Sequence, residues 1–383
     1  MKKKILIPYA SYGSGHKAIA RYIEKYFKEQ DPELEIKCLD MLEYSMPIIG
    51  KISQVTNGYL MLKVPAIHGL MYKLFDQKIS GAVADNVSMT LFKNKAMRHV
   101  VEEFNPDLTI ATHFFGGSLI TYYNKKHITN SKLITVVTDY EAHELWVNDY
   151  KTADYLIVGD KAEIPILVKR GVEKKKIKAI GIPIRPQTTS TFNKEKSLKK
   201  YKLSGNRLIC VFFGGGGNGS TTSLPYIKRL IKNNLNLDII FIAGKNEKSQ
   251  ERVNKYIEEY HANNIRVIGY ATNVPELLQL CDFVISKPGG AQSTECLYFN
   301  KPILMINSSG GQEVANYKYF TKNGYGRRFR TSWGLNNFVK DIVNNPKILT
   351  KMQKNMAKNH NEQAIQKLYE LTEDLLKNNK SNN

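Results

Sequence analysis

One short stretch in the second half of the chain joins an anion-binding turn to a carboxylate: Ser286-Lys-Pro-Gly-Gly-Ala-Gln-Ser-Thr-Glu295. The apolar run Cys281-Asp-Phe-Val-Ile285 before it reads as a strand, and Ser293 to Phe299 reads as a helix. A strand, a turn through Pro288, Gly289 and Gly290, and a helix start leave backbone N–H groups bare where an anion can sit. Glu295, inside that helix, lies within reach of a neighbouring ribose. A second strand-to-helix turn, Gly310-Gly-Gln-Glu-Val-Ala-Asn316, follows Pro302-Ile-Leu-Met-Ile306 and carries Gln312, Glu313 and Asn316. Two such turns describe a pocket for a nucleotide bearing a hydroxyl-rich group. A glycine-rich loop with a capping carboxylate is the simpler reading of the same residues.

A third glycine-rich turn, Val211-Phe-Phe-Gly-Gly-Gly-Gly-Asn-Gly-Ser-Thr-Thr222, lacks the Gly-Lys-Ser/Thr ending of a Walker A loop. Gly215, Gly216, Gly217, Asn218 and Gly219 instead suit a backbone cradle for phosphates, with Ser220 and Thr221 as further donors. A plain flexible turn is the alternative. Arg185, in Gly181-Ile-Pro-Ile-Arg185, can pair with a departing diphosphate, and Tyr270, at the end of Val267-Ile-Gly-Tyr270, can hold a planar base. No Asp-x-Asp pair occurs and the histidines lack metal-ligand grouping. No metal is therefore expected, and helix dipoles with Arg185 would neutralise a leaving group.

In the first half, Ser11-Tyr-Gly-Ser-Gly-His-Lys-Ala18 joins a strand to a helix. With Asp40 closing the next strand it also fits a dinucleotide fingerprint, which keeps a nicotinamide or flavin enzyme open as a rival. His16 stands where pyrophosphate would press on backbone, so it suits a general base, with an ordinary pKa of about 6.5. A capping or merely exposed histidine is the alternative. Thr138-Asp-Tyr-Glu-Ala-His-Glu-Leu-Trp146 adds Asp139 and His143 at the end of another strand. Asp139 can orient or charge-balance a base, or cap a helix.

The elements that must position these residues alternate along the chain. Strands are expected at Lys4–Ile7, Glu35–Leu39, Leu108–Ala111, Leu133–Val137, Tyr155–Val158 and Ile177–Ile180. After a gap come Leu208–Phe213, Leu237–Ile242, Ile265–Ile268, Phe283–Ile285 and Ile303–Ile306. Such alternation indicates parallel sheets covered by helices, an α/β class. Pro183-Ile-Arg-Pro-Gln-Thr-Thr-Ser-Thr191 reads as a linker, dividing residues 1–185 from 186–350. A helical, Lys/Asn-rich segment, 351–383, would return to the first domain.

At 383 residues, 42% hydrophobic and 10% aromatic, the chain can bury two substantial cores, which excludes global disorder. Its formal net charge of +21 attracts anionic surfaces or phosphorylated substrates. Cys38, Cys210, Cys281 and Cys296 form no CxxC pair and read as reduced, buried thiols of a cytosolic protein. The apolar run after Met1-Lys-Lys-Lys is too short for a signal sequence, and no window of about 18 apolar residues occurs. Tyr44 to Ser80 is apolar, aromatic and net basic, with Tyr59, Leu62, Lys63, Met71, Tyr72 and Phe75 among its residues. It fits an interfacial membrane anchor or a lipid-gripping lid, and equally a pair of core helices with lysines on the wet face.

Taken in order, Gly13-Ser-Gly-His16, Thr138-Asp with His143 and Trp146, Gly181-Ile-Pro-Ile-Arg185, the Gly214–Gly219 loop, Lys287-Pro-Gly-Gly with Glu295, and Gly311-Gln-Glu313 with Asn316 resemble family 28 glycosyltransferases. Within that family the likeness is greatest to bacterial diacylglycerol β-glucosyltransferases and plant monogalactosyldiacylglycerol synthases. The resemblance implies a GT-B fold, two Rossmann-like domains facing across a cleft, with an acceptor- and membrane-binding first domain and a UDP-sugar-binding second. It implies transfer of a hexose, glucose first, from a UDP-hexose to diacylglycerol with inversion at the anomeric carbon. Galactosyl transfer, or transfer of N-acetylglucosamine to a polyprenyl-linked peptidoglycan precursor, are the alternatives. It also implies peripheral attachment to an anionic membrane surface at the cytoplasmic face, no cofactor beyond the UDP-sugar co-substrate, and no nucleic-acid partner. Carried over by position, His16 is the base or the acceptor-positioning residue, Glu295 binds the uridine ribose, Gln312 and Glu313 meet sugar hydroxyls, and Gly215 to Gly219 hold the diphosphate. Ala291-Gln-Ser293, Asn218 and Glu141-Ala142 depart from the usual family pattern, which leaves the sugar open.

Overall fold

A computed structural model of the chain describes residues 2–11, 14–45, 94–147, 151–184, 192–215, 221–306, 311–359 and 363–378. Tyr59, Leu62, Lys63, Met71, Tyr72 and Phe75 lie outside the described residues, as do Arg185, Gly216, Gly217, Asn218 and Gly219.

The chain divides into two compact units. The first holds Met1–Pro186, Ser309–Ala315 and Asn361–Asn383; the second holds Gln187–Ser308 and Asn316–His360. In the first unit, β1 (Lys4–Tyr9), β2 (Glu35–Asp40), β3 (Leu108–Ala111), β4 (Lys132–Val136), β5 (Tyr155–Ile157) and β6 (Ile177–Lys178) form one sheet in the order β2-β1-β3-β4-β5-β6. In the second, β7 (Leu208–Phe213), β8 (Leu237–Ile242), β9 (Ile265–Ile268), β10 (Phe283–Ser286), β11 (Ile303–Ile306) and β12 (Gly326–Phe329) run β12-β11-β10-β7-β8-β9. Every pairing is parallel.

Parallel sheets with helices on both faces bury their strands on both sides, so their strands read as unbroken apolar runs. Ile5, Leu6 and Ile7 of β1, and Ile240 and Phe241 of β8, are wholly buried. That is why these strands are legible. The edge strand β12 is not, because Gly-Arg-Arg-Phe has no apolar run. Its place depends instead on Gly326, where any Cβ would collide with the Ile303 carbonyl.

Two helices differ from expectation. The helix after β10 runs Gly290–Tyr298, starting before Ser293, because Gly289 in extended conformation opens it directly. The Lys/Asn-rich end forms two helices, Lys347–Met356 in the second unit and Ala364–Asn378 in the first. In the latter, Tyr369 packs edge-on against Phe27, ring centres 5.0 Å apart.

Strand order singles out one place in each sheet. The second runs outward from β7 through β8 to β9, then returns to place β10 on β7's other side. The first departs from β1 to β2, then places β3 on the other side of β1. In open α/β sheets, ligands bind beyond the carboxyl ends of strands where the order reverses. Those ends carry Gly214-Gly215 and Lys287–Gly290 in the second unit, and the turn to His16 with Thr112-His113 in the first.

Gly214 is needed for close approach: a Cβ there would lie 2.7 Å from the Phe241 ring and 2.9 Å from the Ile242 carbonyl oxygen. Gly214→Ala should therefore destabilise the second unit by about 1–3 kcal/mol, the usual cost of overpacking. A lowered thermal unfolding midpoint checks this; an unchanged midpoint refutes the close-packing account.

Candidate functional site

In the first unit, the helix Ser14–Gln30 carries His16 in its opening turn, with only 9% of the residue exposed. Its Nδ1 lies 2.8 Å from the Thr112 carbonyl oxygen and 3.0 Å from Thr138 Oγ1. A carbonyl can only accept, so Nδ1 carries the proton and Nε2 is the basic nitrogen of the neutral ring. Thr112 completes the tie by donating its hydroxyl to the His16 carbonyl at 3.2 Å. The ring is thus oriented by the ends of β3 and β4.

Burial holds the His16 pKa below the usual imidazole value, opposed by the Asp139 carboxylate and by the Thr112 hydrogen bond. A neutral imidazole at neutral pH follows. Asp139 is itself buried. The alternative of a merely exposed His16 is overturned: the residue is buried, with the His113 ring 4.7 Å away edge-on.

His113 escaped the sequence reading, and no motif marks it. Its Nδ1 accepts from Phe115 N–H and so caps the helix Phe114–Lys125. Burial, with His16 and His143 nearby, holds its pKa well below normal. His143 is depressed to about 3 by burial, Arg170 and His16. With Phe114 and Trp146 these rings form an aromatic nest beside His16.

Asp40, the acid of the dinucleotide rival, is already engaged: one oxygen accepts from Ser11 Oγ and the other from Leu42 N–H. It ties the start of the His16 turn to the end of β2.

In the second unit, Ser223 Oγ donates to the Gly214 carbonyl at 2.7 Å, pinning the loop where Gly215 takes a φ of 132°. Beside it, the helix Gly290–Tyr298 begins directly at the switch point. A Cβ on Gly289 would meet nothing within 4 Å, so space is open over that helix start. Asn316 is fully buried and donates from Nδ2 to the Pro288 carbonyl at 2.9 Å, which holds the turn in shape. Glu295 is buried within the helix, and Tyr270 is 60% exposed at the end of edge strand β9. Gln312 and Glu313 open the helix Gln312–Lys322, half-buried, and fall within the first unit rather than in the 186–350 domain of the sequence reading.

Among the described residues, no group of three or more His, Cys, Asp or Glu side chains is placed to hold a metal. No helix among them is long and apolar enough to cross a membrane. Burial pushes the Cys38 and Cys281 thiols up to about 12, which keeps both protonated at neutral pH.

The pH consequence has a definite sign. His143 titrates near 3 when folded and about 6.5 when unfolded, so the unfolded chain binds more protons between those values. Stability therefore falls as pH drops from 6.5 toward 3. The unfolding midpoint should decline on acidification through this window, and decline less steeply in His143→Gln. Equal slopes for both proteins refute the assignment.

Residues 16–184 match the family described as monogalactosyldiacylglycerol (MGDG) synthase, and residues 210–368 match the glycosyltransferase family 28 C-terminal domain. The chain is 28% identical to the processive diacylglycerol beta-glucosyltransferase of Bacillus pumilus, over 99% of this chain and 97% of the relative. It is 26% identical to the Bacillus subtilis protein of the same name, over 94% and 91%. In fold it is similar to Acinetobacter baumannii MurG, with a TM-score of 0.63 at 12% identity over 97% and 99% of the chains. A UDP co-structure of S. aureus MnaA matches with a TM-score of 0.58 at 14% identity, over 96% and 94%. With an α/β GT-B fold and both family matches in order along its length, the chain belongs to the family 28 glycosyltransferases.

Proposed function

We propose that this protein transfers a glucosyl residue from a UDP-sugar to diacylglycerol, with inversion at the anomeric carbon. The observation that carries the reading is His16: a buried, neutral imidazole at a strand-order reversal, with its proton fixed on Nδ1. The Bacillus relatives' name supplies the substrate class.

In this mechanism Nε2 of His16 takes the proton of the acceptor hydroxyl as that oxygen attacks C1 of the sugar. The C1–O bond to UDP breaks on the opposite face, and its electron pair leaves with the diphosphate. Asp139 stabilises the imidazolium that forms, the sign of its effect on His16 being favourable to the charged ring. N–H groups at the start of Gly290–Tyr298 and in the Gly214-Gly215 turn, together with Arg185, balance the leaving charge. Glu295 takes the uridine ribose, and Gln312 and Glu313 take sugar hydroxyls. General-base assistance contributes roughly 10²–10⁴-fold.

Incubation with diacylglycerol and UDP-glucose should yield a hexosyl lipid. The MGDG synthase match makes UDP-galactose the donor to compare. Absence of any glycolipid from UDP-glucose, UDP-galactose or UDP-N-acetylglucosamine sinks the proposal. His16→Ala should lower turnover by about 10² or more with UDP affinity within about twofold. Wild-type turnover in that variant removes His16 from the chemistry.

A lipid acceptor places the protein at a membrane surface, and peripheral attachment at the cytoplasmic face is part of the proposal. The +21 net charge supports it, at about 1 kcal/mol per well-placed cation on an anionic surface, as does the apolar, basic stretch Tyr44–Ser80. The protein should sediment with anionic vesicles and much less with zwitterionic ones. Equally weak sedimentation with both ends the membrane part of the reading.

A further inference from the structure

The loop from Thr138 to His143 bears two groups that act on His16, and one helix grips that loop from both ends. Glu163 opens the helix Glu163–Lys169, and Arg170 directly follows it. Glu163 Oε2 accepts from Ala142 N–H at 3.0 Å, while Oε1 accepts from Gly159 N–H at 3.1 Å. The Arg170 guanidinium donates to the Ala142 carbonyl and pairs with Glu144 at 3.3 Å. These two contacts pin consecutive peptide planes, one before Ala142 and one after. Tyr140 of the same loop packs on Gly159, so close that a Cβ there would lie 3.3 Å from its ring.

We infer that Glu163 and Arg170 are positioning residues of the active site: by clamping both polar groups of Ala142 they set where Thr138 and Asp139 stand relative to His16. The inference rests on the proposed role of His16 as base.

The chemistry of the clamp explains why a carboxyl group is used. Three backbone N–H groups, of Ala142, Gly159 and Asp160, converge on Glu163, and both carboxyl oxygens face them; an amide would set an NH2 donor against one of these donors. Glu163 is 4% exposed, and a buried carboxyl is costly to keep ionised. Burial, with Asp160 adding to it, pushes its pKa up to about 8 against the pull of N–H groups from Ala142, Asp160 and Gly159. At neutral pH the group is therefore mostly the protonated acid, and its two oxygens still face the backbone N–H groups of Ala142 and Gly159. Glu163 touches no part of the proposed reaction, so its task is to hold Ala142 and Gly159.

The groups facing His16 are Asp139, whose charge raises its pKa, and the neutral rings of His113 and His143. The Arg170 charge acts on His143 in turn and lowers its pKa. Loosening the clamp relaxes Asp139 and Thr138 from His16, which lowers the imidazole pKa. A helix that served only to pack would leave that pKa alone.

The test compares wild type with Glu163→Gln and Arg170→Lys, and uses Glu24→Gln as control. Glu24 belongs to a separate cluster with Arg21 and Lys28. The first readout is the titration of the His16 imidazole followed by NMR in ligand-free protein. The expected result is a downward shift of about half a pH unit or more in either clamp variant, with none in the control. The second is turnover with UDP-glucose and diacylglycerol: kcat should fall about tenfold while KM for UDP-glucose stays within about twofold. If Glu163→Gln fails to fold, Arg170→Lys, at a site where the side chain is 19% exposed, carries the comparison. His16 titration curves that superimpose on wild type overturn the inference, whatever happens to the unfolding midpoint. A wild-type protein without turnover refutes the proposed function instead, and the NMR comparison still decides the clamp.

Discussion

A single hydrogen bond organises the first unit's candidate site: His16 Nδ1–H to the Thr112 carbonyl. It fixes the tautomer, and with it which nitrogen is basic. It also joins the helix after β1 to the end of β3, the two strands between which the order reverses. Without that bond, a histidine in the opening turn of a helix would be free to sample several rotamers and either tautomer. Thr138 adds a second oxygen from the end of β4. Three strand ends thus hold one ring, and the precision of the site derives from the sheet beneath it.

Burial sets the electrical state of the same region. His16, His113 and His143 are all held below their ordinary pKa by removal from water. Keeping three imidazoles neutral together avoids mutual repulsion and leaves Asp139 as the nearby charge that favours a cationic His16. On the proposed mechanism, a neutral ring with one favourable carboxylate nearby is ready to take a proton. Glu163, which holds Ala142 from the neighbouring helix, is pushed the other way for the same reason.

In the second unit the corresponding constraint is the backbone. Gly214 has no room for a side chain, because Phe241 and the Ile242 carbonyl stand too near, whereas Gly289 has open space before it. The first glycine serves packing and the second leaves a helix start uncovered. Asn316, read from the sequence as a donor contact, is fully buried on the Pro288 carbonyl and keeps that start in place. The two roles look identical in sequence, since both are glycine-rich turns after apolar strands.

Local pattern was enough for much of this protein. The α/β class, most strand positions, the glycine turns and the place of His16 just after a strand-to-helix turn all follow from unbroken apolar runs and from residue types that tolerate tight turns, both of which are written in neighbouring residues. The edge strand β12 escaped because two arginines and a glycine carry no burial signal; its pairing depends on Ile303, distant in sequence. The tautomer of His16, the nest formed with His113, and the grip of Glu163 and Arg170 on Ala142 likewise join residues far apart along the chain. Hydrogen-bond direction and desolvation are properties of assembled surroundings, so only the tertiary structure could decide them.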